Sequence, residues 1–207
     1  KLAVLTEEPT RSISLFSAKL KEKLSDYKRN AATYGLAMAY LANNQSELAK
    51  PLIEKLLAED KNRLLYLTAL AKIEMDAGNQ KKALDIYHKA LNLNPNNHAI
   101  TLFFSESLLS VGQPKTATPL LRSHMRRYND DAPYLYELLA RAEGESGYLS
   151  AAHRSQAEFY FLSGQTIAAI EQLKIAKNVA GLSSDQKLRI EARLKQLEQI
   201  AKEEEHI

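Results

Sequence analysis

The chain has 207 residues, of which 45% are hydrophobic and 26% charged. That is enough apolar material for a core and too much for a disordered segment. Its net charge of +3 comes from acids and bases mixed along the chain, which does not favour nucleic acid as a partner. No cysteine is present, so disulfides and cysteine-ligated metal are excluded. No apolar run approaches the roughly 20 residues that span a bilayer, and we expect a chain without a transmembrane segment. It starts at Lys1 with no initiator methionine or signal pattern, and we expect a mature or excised piece of a longer protein.

In chain order, Lys1 to Glu8 reads as an arm with a short apolar run from Leu2 to Leu5. Thr10 or Ser12 can then cap a helix that repeats Ile13, Phe16, Leu20 and Leu24 on one face. Residues 1–29 are read as an arm and linker helix. From Asn30 the chain settles into helix pairs, and residues 30–181 form an array of about four repeats plus a half-step. The first pair carries Ala37 and Leu41, then Ala49, Ile53 and Leu56. Pro51 is placed early in its second helix, where a missing N–H costs little. The second pair is broken at Gly78, and the third at Gly112. Near Pro133 the phase slips by one residue. A helix from about Ser150 to Leu162 then fits two phases at once, with Ala152 as in a second helix and Ala157, Tyr160 and Gly164 as in a first. Gly181 ends the array, and Ser183 or Ser184 caps a last helix through Leu188, Ile190, Leu194, Leu197 and Ile200. Residues 182–207, with the polar tail Lys202 to Glu205, are read as the end cap that a repeat stack requires.

Three ladders share one phase. Alanines at 49, 83, 117, 152 and 169 are separated by 34, 34, 35 and 17 residues. Turn residues Asn44, Gly78, Gly112, Gly147 and Gly164 follow the same steps, as do Ala37, Ala71, Ser105, Ala140 and Ala157. Small residues at fixed spacing allow paired helices to touch, glycine serves the turn, and Pro95 stops the second pair. The pattern resembles the tetratricopeptide repeat, with its period of about 34 residues. We therefore expect an all-α fold of about ten to twelve helices: a tetratricopeptide-repeat solenoid, a right-handed superhelix of antiparallel helix pairs with extra N- and C-terminal helices.

Chemistry has few anchors in this sequence. The five histidines, His88, His98, His124, His153 and His206, never fall three or four residues apart, and His-Glu-x-x-His is absent. His124 and His153 sit at inner helical positions and read as packed or partnered. No phosphate loop and no Gly-x-Ser-x-Gly elbow occurs. We assign this chain no catalytic, metal or cofactor residue and expect binding instead.

In a helical solenoid the first helices line the concave surface, which takes extended peptides or partner helices. By repeat phase the groove positions are Tyr34, Met38 and Leu41 in the first pair, and Leu65, Thr68, Lys72 and Met75 in the second. Leu102 and Glu106 follow in the third, then Tyr134, Glu137 and Arg141 in the fourth. Lys55, Asp85, Lys89 and Arg122 mark the outer faces of second helices. Tetratricopeptide domains that hold the carboxylate tails of cytosolic chaperones use a Lys, Asn, Asn, Lys, Arg set. The matching positions are Tyr34, Met38, Ala69, Ala99 and Phe103, none of which can clamp a carboxylate.

Four segments carry a closer resemblance. Tyr34 to Leu57, Leu108 to Leu121 and Ala152 to Lys177 (AHRSQAEFYFLSGQTIAAIEQLKIAK) are similar to the C-terminal repeat region of periplasmic zinc metalloproteases of the β-barrel assembly-enhancing type, and Pro9 to Leu24 to the stretch before it. The resemblance implies that the catalytic domain, with its zinc, lies outside this chain. It implies a periplasmic, non-catalytic repeat domain whose partner is the outer-membrane protein assembly complex, its substrates or the protease domain itself. An adaptor of another assembly or secretion system, or an excised cytosolic scaffold, is the alternative.

Overall fold

The computed structural model describes residues 9–95, 97–128 and 132–204. The apolar run Leu2 to Leu5, Asp131, and the tail residues Glu205 and His206 lie outside them. Among the described residues there are eleven α-helices and no strand. The chain divides into two compact units, Lys1–Phe103 and Phe104–Ile207. The first holds α1 (Pro9–Leu20), α2 (Asp26–Ala42), α3 (Ser46–Glu59), α4 (Leu64–Asp76) and α5 (Gln80–Leu93). The division falls within α6 (His98–Ser110). The second unit continues through α7 (Pro114–Tyr128), α8 (Pro133–Glu145), α9 (Leu149–Leu162), α10 (Thr166–Asn178) and α11 (Ser184–Glu204).

In the first unit the small-residue ladder is where helices meet. Ala37, Ala49, Ala71 and Ala83 are fully buried. Ala37 and Leu41 of α2, Ala49, Ile53 and Leu56 of α3, and Tyr66, Ala69 and Ile73 of α4 form one apolar cluster. A second cluster joins Leu67 of α4, Ala90 of α5 and Ile100 at the start of α6. The turns are equally regular. At Asn44, Gly78, Gly112, Gly147 and Gly164 the backbone has positive φ, from 55° at Asn44 to 85° at Gly147. The next residue's N–H then bonds a carbonyl five residues back, at 2.8 Å in all five turns, from Gln45 to Tyr40 through Gln165 to Tyr160. This is the helix-ending motif that needs a left-handed residue, hence glycine in four of the five turns.

Four local expectations are revised. Ser12 does not cap α1 but lies buried within it, and Leu24 falls in the link after α1. Pro51 is the sixth residue of α3, beyond the four free N–H groups of a helix start, and Pro119 repeats the placement in α7. Leu188, the fifth residue of α11, is exposed although it shares the apolar pattern.

α1 is held on α2 through a close approach. A Cβ built at Gly35 would come within 2.5 Å of the Phe16 ring, so only glycine admits that ring. Gly35→Ala is therefore expected to displace Phe16 and free α1, while the gain in helix propensity of about 0.5–1 kcal/mol keeps α2 formed. Amide exchange along α1 should accelerate at least about tenfold with α2 and α3 unchanged. An α1 that stays as protected as in the parent would show that Phe16 is not its anchor.

In the second unit α9 packs along both α8 and α10, so it closes one pair and opens the next. Ala157, Ala169, Ile170, Leu173 and Ala176 meet Ile190, Leu197 and Ala201 of α11 in one cluster. α11 starts in a reciprocal cap: Gln186 N–H donates to Ser183 Oγ at 3.2 Å, and Ser183 N–H to Gln186 Oε1 at 2.9 Å. Arg193 then fastens it across α9, donating to both oxygens of Glu158 at 2.9 and 2.6 Å with its guanidinium 4.8 Å from the Phe161 ring centroid.

Candidate functional site

Each unit contains a buried glutamate in the same repeat phase, near the C-terminal end of a first helix. Glu74 of α4 is fully buried and accepts from Lys50 of α3 at 2.9 Å, Lys82 of α5 at 2.8 Å and Asn79 at 2.7 Å. Burial pushes its carboxyl up, but the bonds from Lys82, Lys50 and Asn79 and the Lys50 charge outweigh that and hold it at about 2. Glu143 of α8 accepts from Arg122 Nε and Nη2 at 2.9 and 2.7 Å and from Ser155 Oγ at 2.7 Å. In both units the carboxylate ties a first helix to the second helices on either side of it. These groups are satisfied, so they fix the walls of the nearby clefts and are not themselves free to bind.

Three clefts open on the first helices. The one in the second unit, about 660 Å³, is lined by Glu106 of α6, by Tyr134, Glu137 and Arg141 of α8, by His153, Gln156 and Tyr160 of α9 and by Gln172 of α10. Arg141 Nε donates to Glu145 at 2.8 Å, and His153 Nδ1 lies 2.8 Å from Gln172 Oε1, so that nitrogen carries the hydrogen. In the first unit a cleft of about 820 Å³ lies against the turn after α2, lined by Leu41, Asn44, Gln45, Ser46, Lys72 and Asp76 among others. Ser46 Oγ donates to Asp76 there at 3.3 Å. A smaller one, about 300 Å³, holds Tyr34 and Leu65 with Tyr27, Tyr66 and Arg63.

The structure thus brings Glu106, Tyr134, Glu137 and Arg141 together in one cleft, Leu41 and Lys72 in another, and Tyr34 and Leu65 in a third. Met38, Thr68, Met75 and Leu102 line none of the three. Leu41 is buried in the core cluster, with Met38 packed against it. Thr68 turns its hydroxyl back to the Leu64 carbonyl at 2.8 Å. His153, Gln156, Tyr160 and Gln172 were not anticipated at a cleft. Their signal is the double phase of α9, which makes its first-helix face a wall. Arg122, expected on an outer face, is instead committed to Glu143.

Among the described residues no group of three His, Asp or Glu side chains is placed to hold a metal ion, and no helix is long and apolar enough to cross a membrane. Helix pairs with a common turn and small buried residues at their contacts make a tetratricopeptide-repeat fold, and residues 74–142 match the tetratricopeptide repeat model. The sequence is 28% identical over 173 residues to the beta-barrel assembly-enhancing protease of Escherichia coli K12, spanning 84% of this chain and 35% of that protein. The Yersinia pestis protease of the same name is 26% identical over 170 residues, 82% of this chain and again 35% of the relative. The chain therefore spans about a third of the length of the curated relatives it matches. Among solved structures, residues 41 to the end of MamA from Desulfovibrio magneticus RS-1 superpose with a TM-score of 0.62 at 19% identity, covering 86% of this chain and 98% of that one. The thermophilic repeat protein TTC0263 of Thermus thermophilus gives 0.52 at 21% identity over 88% of each chain. These likenesses carry the fold.

Proposed function

We propose that this chain is the non-catalytic, protein-binding domain of a larger periplasmic zinc metalloprotease. In that reading it docks on the outer-membrane protein assembly machinery or presents substrates to the protease. The observation that carries it is the pairing of two coverages: the similarity runs over 84% of this chain yet touches only 35% of the assembly-enhancing protease. A repeat domain of this kind contributes recognition. Its clefts support that role, since they mix exposed aromatic and aliphatic groups with separated charges, as interface cores and rims do. Glu106, Tyr134, Glu137 and Arg141 of the second unit, with Tyr34, Leu65 and Lys72 of the first, are the proposed contacts.

The gene upstream of Lys1 tests the parentage. A signal peptide followed by a domain containing His-Glu-x-x-His is the expected result. An upstream region with neither would overturn the protease parentage and leave an adaptor of another assembly system.

A further inference from the structure

We propose that the tyrosine-lined slot at the start of α2 takes a proline-containing extended segment that carries a basic residue next to its proline. The inference rests on the protein-binding reading above and names the chemistry of one partner. Tyr27, Ala31 and Tyr34 stand at i, i+4 and i+7 on α2, so they share one face of that helix. Tyr66 of α4 closes the wall, its ring 5.7 Å from that of Tyr34 and tilted by 39°. Burial, and then the neighbouring Tyr66, push the Tyr34 phenol up to about 12. Tyr27 is 80% exposed, an aromatic side chain left almost wholly in water. Between the rings the small Ala31 leaves a depression of about 300 Å³.

The shape and chemistry select among the ways a protein binds a peptide. Adding a strand needs a sheet edge, and the described residues contain no strand. An amphipathic helix needs anchor pockets spread over two turns or more, which a slot of this size does not offer. A polyproline segment needs only aromatic walls for its rings and donors for carbonyls that have no internal partner. The tyrosine hydroxyls and the Arg63 guanidinium, 5.6 Å from the Tyr66 ring centroid, are such donors. The rim supplies charge. Glu59 accepts from the neutral amide of Asn30 at 2.6 Å, and no basic side chain among the described residues pairs with it. Asp60 beside it has Arg63 only at 3.9 Å. A lysine or arginine flanking the proline would complete that rim.

The test uses the intact chain and a fluorescent ten-residue peptide of alternating alanine and proline with one central arginine, read by anisotropy. Saturable binding is expected. Changing every proline to valine should weaken it at least about tenfold, and changing the arginine to glutamate at least about fivefold. Tyr27→Ala should weaken it about tenfold with unchanged helical circular dichroism, since that side chain packs on little, whereas Tyr148→Ala in the other unit should have no effect. Equal affinity for the valine peptide, an unaffected Tyr27→Ala variant, or no saturation at about 1 mM peptide would each overturn the proposal. Such a failure leaves the wider binding reading standing, because that reading also rests on the cleft of the second unit.

Discussion

Replacing Glu74 by glutamine is expected to destabilise the protein by about 3 kcal/mol at neutral pH. The carboxylate is fully buried, and glutamine keeps its volume while removing the charge that Lys50, Lys82 and Asn79 surround. Its pKa falls from an ordinary 4.5 to about 2 on folding, a depression equivalent to about 3 kcal/mol at roughly 1.4 kcal/mol per unit. For a depressed carboxyl the unfolded chain takes up the proton first. The contribution is therefore complete above the unfolded value of 4.5 and is lost as pH falls from there through 2. Urea unfolding of parent and Glu74→Gln should show a gap of about 3 kcal/mol at pH 7 that shrinks to about 1 kcal/mol at pH 3. A gap of the same size at both would mean that glutamine disturbs packing and that the charge does not matter.

Leu173→Ala is expected to have an effect of similar or greater size by a different route. Leu173 is almost fully buried where α10 meets α9 and α11, and truncation leaves a cavity that three helices would have to collapse to fill. A buried leucine cut to alanine costs about 2–5 kcal/mol. In a chain of this length each kcal/mol moves the midpoint by about 2–4 °C, so a Tm lower by about 5–15 °C is expected. The exposed Ile175, two residues on, supplies the comparison. Ile175→Ala should stay within about 0.5 kcal/mol of the parent. Similar losses for both would contradict the helix register placed on α10.

The repeat itself was legible because it is written in constraints that few residues satisfy. Helices that touch need alanine or serine at the crossing, and the turn needs a residue that accepts positive φ. The ladders through Ala83 and Gly78 therefore show both the pairing and the phase. Ala157 and Gly164 repeat the same constraints half a period after Ala140 and Gly147. Glu74 and Glu143 were not legible. A glutamate within a helical pattern reads as solvated, and its partners Lys50 and Arg122 lie more than 20 residues away, brought close only by the packing. The Phe16 to Gly35 contact was hidden likewise, because nothing in a helix marks a glycine as a socket for a distant ring.

The candidate surface was legible in direction and not in depth. Phase places Leu41 and Lys72 on the same side of their helices, but depth decides that Leu41 becomes core while Lys72 stays exposed with Asp76 at 3.9 Å. The same distinction separates Met38, packed against the core, from Glu137 at the rim of an open cleft.

A photocrosslinking scan in cells of the protein's own source tests most directly whether partners are held on the first helices. Photoreactive residues would stand at Leu65, Lys72, Tyr134, Glu137 and Arg141, and for comparison at Lys55, Asp85 and Lys89 on second helices, with Arg122 left out because it holds Glu143. Adducts to another protein at the first-helix positions, and none at the second-helix ones, are the predicted result. Adducts confined to Lys55, Asp85 and Lys89 would contradict it and place binding on the opposite face.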